Sequence, residues 1–467
     1  MGGFFGVISK TDCVNDLFYG TDYHSHLGTK RGGLATKNSK GFTRTIHNIE
    51  NKYFRSKFED DLHKLTGHSG IGIISDTDPQ PLIIGSHLGK FGIVTVGRIN
   101  NMKELAAKAF QNKRHFTEMS GGELNPTELV AMLICQEESF KAGIQSAQES
   151  IQGSCSMLLL TENGIIAARD RLGRTPIAIG RKDGAYAVSS ETCAFPNNGF
   201  RADRDLGPGE AVFLSADGYE QLKAPEEKMQ ICSFLWVYYG YPASSYEEIN
   251  VESVRYRCGS ALGRDDAVEI DFVAGIPDSG IGHAIGYANE RKIPYLRPFV
   301  KYTPTWPRSF MPQNQTMRDL VARMKLIPIR SLIEGQRILF CEDSIVRGTQ
   351  LQDNIQILFD FGASEVHMRP ACPTLIYSCD FLNFSTSRST LDLAGRKAIT
   401  ELQGTDETNL DAYAVSGSEE NKQMVDRIRR RLRLTTLKFQ RLENLVKAIG
   451  LPKEKLCTHC WDGSSYF

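Results

Sequence analysis

Residues 337 to 351 read RILFCEDSIVRGTQL. Ile338, Leu339, Phe340 and Cys341 run straight into two acids, Glu342 and Asp343, and then into Ser344, Arg347, Gly348 and Thr349. The first part has the composition of a buried parallel strand, and the second that of a loop opening a helix near Gln350. A loop at the carboxyl end of such a strand aims backbone N–H groups and the positive end of a helix dipole at an anion. Arg347 and Thr349 add donors, and Gly348 lets the backbone come close. Two carboxylates do not suit a phosphate. They suit a sugar diol or a hydrated Mg²⁺, which takes oxygen ligands. Phosphate, diol and metal together describe an activated phosphosugar; the plainer alternative is an exposed strand end with two solvated acids.

A second set of reactive residues lies near the other end. Cys457 and Cys460, in LCTHCWDG, have the C-x-x-C spacing that suits one metal centre, with zinc, an iron–sulfur cluster and redox chemistry all open. The chain has 11 cysteines. An odd number in a long chain argues against a secreted disulfide framework and for free thiols or metal ligands. Cys13, Cys135, Cys155, Cys193, Cys258, Cys341 and Cys372 read as small apolar residues.

The elements that must hold these residues fall into two textures. From about residue 2 to 225, short β-type runs meet at hairpin signals, Asn163-Gly164 and Asp183-Gly184, which predicts a largely antiparallel, sheet-rich domain. From about 230 to 390 strands and helices alternate: DFVAGIP, GHAIGYANERK, YLRPFVK, RILFCED, TQLQDNIQILFDFG and EVHMRPA, the pattern of a parallel sheet with crossover helices. Leu442, Leu445, Val446 and Ile449 are at helical spacing before Gly450 and Pro452. Two domains, 2–230 and 231–467, suit a chain of 467 residues.

Charge excludes some partners. Lys+Arg and Asp+Glu are both 55, so no bulk field steers the chain to nucleic acid or an anionic membrane, and any anion is held locally. The basic run RIRRRLRL, 427 to 434, keeps Met424, Ile428 and Leu432 at helical spacing and reads as a solvated or inter-subunit helix. No apolar run approaches the roughly 20 residues that span a bilayer, and the first residues lack a basic flank before a long apolar core. The expectation is a soluble, cytoplasmic protein.

The acids, SIVRGT and the helix after them resemble the phosphoribosyl pyrophosphate (PRPP) motif of type I phosphoribosyltransferases, and EDSIVRGT is close to the version in amidophosphoribosyltransferases, also called glutamine PRPP amidotransferases. GIPDSGIGHAIGYANERKIPY, RSFMPQNQTMRDLVARMKL and EGQRILFCEDSIVRGTQL follow that family in order. GFFGVI, RGG, LLLTENGIIAARDRLGRTPIAIG and YAVSSETCAF resemble its glutaminase domain. The resemblance covers nearly the whole chain. It implies an αββα sandwich of the N-terminal nucleophile hydrolase type, α+β, followed by an α/β phosphoribosyltransferase domain with a parallel sheet.

The activity so implied is a step of de novo purine biosynthesis: ammonia adds to the anomeric carbon of PRPP to form 5-phosphoribosylamine. Ser279, Glu342 and Asp343 would surround Mg²⁺ and the ribose. Asp278, Ser344, Ile345, Val346, Arg347, Gly348 and Thr349 would bind substrate, the last six as the 5′-phosphate loop. Lys301, Arg308 and Lys325 would be the catalytic cations that neutralise departing pyrophosphate. Purine nucleotides as inhibitors and a homo-oligomer, dimer or tetramer, come with the family. Departures are Glu342-Asp343 for two aspartates, Gln350 for a threonine, and KYTPTWPRSF, whose prolines would stiffen a closing loop.

In the iron–sulfur branch of the family the C-x-x-C pair is joined by two upstream cysteines, and Cys232 and Cys379 fall in their places. The resemblance therefore implies a [4Fe-4S] cluster on Cys232, Cys379, Cys457 and Cys460, with His459 a bystander. It also exposes a conflict. The family's nucleophilic cysteine aligns with Gly2, which has no side chain to attack with; Val96 stands for an oxyanion-stabilising asparagine, and SGIGIISDTDPQP lacks an arginine expected near the glutamine, although Arg31 and Gly32 remain. Glutamine hydrolysis is expected to be lost, with Cys13 the remote substitute nucleophile. The other readings are a catalytically silent PRPP- or nucleotide-binding protein regulating a partner, and a PRPP-sensing nucleic-acid regulator, which the neutral charge disfavours.

Overall fold

The protein was analysed as a computed structural model that describes residues 2–117, 119–120, 123–302, 326–382, 392–405 and 407–465. Its first half stacks two antiparallel sheets. The seven-stranded sheet runs, edge to edge, Arg201–Asp205, Ala178–Lys182, Ala185–Ser189, Gly2–Ser9, Ser69–Ser75, Arg31–Asn38, Gly41–Asn48. The six-stranded sheet runs Tyr219–Lys223, Ala211–Leu214, Ile165–Ala168, Gly153–Leu160, Gly89–Ile99, Leu82–Ser86. Alternation in the central strand shows how the layers are built. Phe4 and Ile8 enter the core between the sheets, with Ile71, Val94, Leu158 and Ile165. Phe5 and Val7 face the other way, against Leu17 and Phe18 of the helix Val14–Asp22 and against Phe54 and Phe58. The helices Pro126–Ile134 and Phe140–Ser150 cover the second sheet. Both faces of each sheet are covered, so a strand such as Gly153–Leu160 is buried from Ser154 to Leu160 without alternation. The order is αββα, as the resemblance implies.

The second half contains a parallel sheet in the order Phe272–Gly275, Arg337–Glu342, Glu365–Pro370, Thr436–Leu437. Period-two alternation separates its faces. Val273, Leu339 and Cys341 pack with Val254, Cys258 and Tyr287 of the helices Val251–Arg264 and Ile281–Arg291. Phe272, Ala274, Ile338, Phe340, Val366 and Met368 pack with Ile355, Leu358, Ala398, Met424 and Ile428 of Thr349–Asp360, Ala394–Gln403 and Glu419–Arg431.

One expected parallel strand departs from this sheet. In YLRPFVK only Tyr295 bridges Val273; Phe299–Lys301 turns away and pairs antiparallel with Leu326–Pro328. Pro298 cannot donate to a ladder, which favours the departure there. The basic run starts in the helix Glu419–Arg431 and continues three residues past its end, with Met424, Ile428 and Leu432 buried. Arg427 and Arg431 pair with Glu401, and Arg429 and Arg430 with Asp426, so two acids offset part of the charge of the run. Helix Leu442–Ile449 ends at Gly450, φ +94°, a left-handed stop. Among the described residues no helix is long and apolar enough to cross a membrane.

Candidate functional site

The strand Arg337–Glu342 is central in its sheet, and its end is clamped between two cores. Glu342 and Asp343 are 9% and 5% exposed. Ser279 Oγ donates to Glu342 Oε1 at 3.2 Å, the Asp343 N–H donates to the same oxygen at 3.1 Å, and Ser344 Oγ donates to Asp343 Oδ1 at 2.6 Å. Ser279, Glu342, Asp343 and Ser344 thus form one hydrogen-bonded row. Burial first, and the adjacent Asp343 second, raise the Glu342 pKa well above the usual carboxylate range. Two buried neighbouring carboxylates leave an unmet demand for positive charge. Arg255 meets part of it from behind: it is 3% exposed, feels Asp343, and spends its guanidinium on the carbonyls of Trp236, Tyr238 and Gly240.

Two glycine-dependent loops flank the acids. In GIPDSG the Ile276 N–H donates to the Cys341 carbonyl at 3.0 Å, and a Cβ on Gly280 would lie 2.3 Å from that same oxygen. Only glycine lets this loop approach so closely. Asp278 on the loop forms an ion pair with Lys301, which the ribbon strand Phe299–Lys301 carries over it. In the other loop Ile345 is buried at 2% as an anchor, the Val346 carbonyl accepts the Ala394 N–H at 2.7 Å, and Gly348 at φ +78° caps the helix Thr349–Asp360. Arg347 and Thr349 face outward; Arg347 lies 3.8 Å from Asp392. Arg308 and Lys325 lie outside the described residues. Sequence reasoning missed Arg255 and Asp392, and no local signal marks either.

The suspected glutamine site is also brought together. Gly2, Leu27, Val96, Gly97, Ser190 and Glu191 line one cavity with Arg174, Tyr239 and Leu382, of only about 40 Å³. Gly2 and Arg31 stand on either side of Ser75 in adjacent ladders. A Cβ on Gly2 would meet the Ile74 carbonyl at 2.5 Å, and one on Gly3 would meet His24 and Leu27 at 2.6 Å. Cys13 is buried elsewhere, before Val14–Asp22, and burial pushes its thiol up to about 12. A thiol so rarely ionised is a poor nucleophile.

All eleven cysteines are free of disulfides. Cys232 and Cys457 stand opposite each other in the parallel pair Ile231–Cys232 with Leu456–Cys457. The Cys379 and Cys460 thiols hydrogen-bond each other, and the Cys232 thiol feels both Cys457 and Cys379. All four are buried, between 5% and 9% exposed. Burial, the largest cause, raises the Cys232 and Cys457 pKa values, while Arg174 draws Cys457 back down. The Arg174 guanidinium also lies 3.7 Å from the Phe381 ring centre. His459 packs edge-on against Phe381 and faces Asp380, away from a ligand's role. Among the described residues no three of His, Cys, Asp and Glu are arranged as a metal-binding set. The four thiols are buried and near enough to act on one another electrostatically, without being arranged around one point.

Comparison with known proteins agrees with this geometry. Residues 68–197 match the model of a glutamine amidotransferase domain family. An amidophosphoribosyltransferase of Archaeoglobus fulgidus is 32% identical over 82% of this chain and 85% of its own. That of Bacillus subtilis is 30% identical over 96% and 89%. Among solved structures, the glutamine PRPP amidotransferase from B. subtilis complexed with ADP and GMP superimposes with a TM-score of 0.81 at 28% identity, covering 99% of this chain and 96% of that one. A structure described as the allosteric regulatory enzyme of purine biosynthesis does so with a TM-score of 0.83 at 29% identity, covering 99% and 95%. The likeness runs through both halves, and the chain belongs to the amidophosphoribosyltransferase family.

Proposed function

We propose that this chain makes 5-phosphoribosylamine from PRPP and ammonia, a step of purine biosynthesis, without supplying the ammonia from glutamine. The observation that carries the first part is the row Ser279, Glu342, Asp343, Ser344 at the mouth of a Gly348-capped helix. The loop 344–349, Ile345 and Val346 included, receives the 5′-phosphate, with Arg347 and Thr349 as side-chain donors. Glu342 and Asp343 hold the ribose hydroxyls and Mg²⁺ together with Ser279; bound there, the cation screens the pyrophosphate charge. Asp278 and Lys301 bracket the pyrophosphate side, and Arg308 and Lys325, outside the described residues, are the further cations that the family resemblance implies.

The loss of glutamine hydrolysis rests on Gly2, on the missing asparagine at Val96 and on a cavity of about 40 Å³. The four cysteines fit a [4Fe-4S] cluster, which would bind the carboxyl-terminal segment to the start of the second unit. The units are 2–230 and 231–467. The B. subtilis relative was solved with ADP and GMP, and purine nucleotides are the inhibitors to expect here. The protein works as a soluble cytoplasmic homo-oligomer, a dimer or tetramer.

The test is PRPP consumption by purified protein with Mg²⁺, comparing ammonium with glutamine. Turnover with ammonium and none with glutamine is the expected outcome. Bound but unconsumed PRPP under both conditions would convert the reading into that of a silent binding protein.

A further inference from the structure

In the second half, the helix Glu419–Arg431 and residues 437–441 line a cavity of about 340 Å³. Pockets that hold small ligands start at roughly this size. Neither the acids at 342 and 343 nor Gly2 contributes to it.

Its charge is one-sided. Lys422, Arg429, Lys438 and Arg441 line it against a single acid, Asp426. That acid is already held by Arg429 and Arg430, at 2.8 and 2.7 Å. Lys422 has only the exposed Glu419 as a partner. Lys438 donates to the Asp265 carbonyl at 2.9 Å, which orients the ammonium without neutralising it, and the nearby Asp266 is engaged by Arg369 through both oxygens. The Arg441 guanidinium has no ion pair or hydrogen bond among the described residues. Of the basic run 427–434, Arg429 alone reaches the cavity.

The rest of the lining is of a different kind. Tyr413 and Phe439 supply aromatic faces. Thr374 is 4% exposed, and its hydroxyl has no hydrogen-bond partner. A buried hydroxyl left unpaired costs about 1–3 kcal/mol. An acceptor oxygen on a ligand would remove that cost.

We propose that this cavity is a second anion site, built for a small phosphate monoester carrying a flat apolar body. The dianion lies between Lys438 and Arg441, one of its oxygens accepts from Thr374, and the body rests on Tyr413 and Phe439. Several cations facing a single satisfied acid suit a doubly charged group better than a carboxylate. The site does not depend on PRPP turnover.

The experiment is calorimetric titration of the full chain with phenyl phosphate, with inorganic phosphate for comparison. One Arg441-dependent site per chain is expected, tighter for phenyl phosphate by about tenfold because the ring adds buried apolar surface. Arg441→Glu should weaken it about tenfold or more, and Thr374→Val about threefold to tenfold. Arg441 is exposed, so its variant tests the site without risk to the fold. The double variant Glu342→Gln, Asp343→Asn should bind phenyl phosphate as the unmodified chain does, which separates this site from the PRPP reading. No binding by the unmodified chain, or binding undiminished in both Arg441→Glu and Thr374→Val, overturns the proposal.

Discussion

Cys232 and Cys457 face each other across a two-residue parallel ladder that ties the start of the second half to the end of the chain. Cys379 and Cys460 lie close by, and the four buried thiols raise one another's cost of ionisation. Anaerobically purified protein should be brown, with about four irons per chain. Cys460→Ser should bleach the visible absorbance and lower the melting temperature, because the carboxyl-terminal clamp is lost with the ligand. A colourless protein with stoichiometric zinc would replace the cluster with a structural zinc site.

Glu342 and Asp343 offer a test of the PRPP site that leaves the fold standing. Glu342→Gln with Asp343→Asn replaces two crowded, buried carboxyl groups by amides of the same shape, so the variant should melt no lower than the unmodified chain. Mg²⁺-dependent PRPP binding in calorimetry should vanish. Retained binding would mean that the row of acids has another purpose.

Restoring a thiol to the first half should not restore its chemistry. Gly2→Cys must fit a Cβ 2.5 Å from the Ile74 carbonyl, and it still lacks the oxyanion donor at Val96, worth about 10²-fold or more in rate. Glutamate release from glutamine should stay at background in both the unmodified chain and this variant. Turnover in the unmodified chain that Cys13→Ala abolishes would make Cys13 the nucleophile, against its burial and raised pKa.

Gly280 and Gly348 should be intolerant of alanine for different reasons. At Gly280 the added Cβ meets backbone, the Cys341 carbonyl at 2.3 Å, which cannot swing aside. At Gly348, φ +78°, alanine adopts a left-handed conformation at a cost of about 1–2 kcal/mol. Gly280→Ala should lower both melting temperature and PRPP affinity, and Gly348→Ala chiefly the latter. Unchanged PRPP affinity in both would detach these loops from the ligand.

Acid sensitivity should be traceable to His24. It is fully buried between the Gly20 carbonyl and Ser189 Oγ, and burial lowers its pKa from 6.5 to about 4. The unfolded chain therefore takes up the proton first, and stability falls as pH drops from about 6.5 to about 4. The linked loss is about 3 kcal/mol as an order of magnitude. Denaturant titrations across that window should show a shallower decline in His24→Gln than in the unmodified chain. Parallel slopes would assign the acid sensitivity to other groups.

Contiguous chemistry was legible before any fold was known. The acids, Gly348 and the C-x-x-C pair lie within a few residues of their partners, so chain connectivity itself holds them together. The two-texture pattern led to an antiparallel first half and a parallel second half for the same reason: alternation along a strand is a local property. Some local signals went unread. Asn125 followed by Pro126 is a cap for the helix Pro126–Ile134, its side chain accepting from the Thr127 and Glu128 N–H groups.

Other features existed in no segment of the sequence. Packing of three separate stretches brought Cys232 and Cys379 to the C-x-x-C pair. Packing also set Arg255 behind Asp343, drew Phe299–Lys301 out of the parallel sheet and left Thr374 unpaired beside Arg441. Such placements depend on which surfaces bury each other, a sum over contacts between residues far apart in the chain. Residue type decides what a side chain can do; tertiary structure decided here which side chains meet.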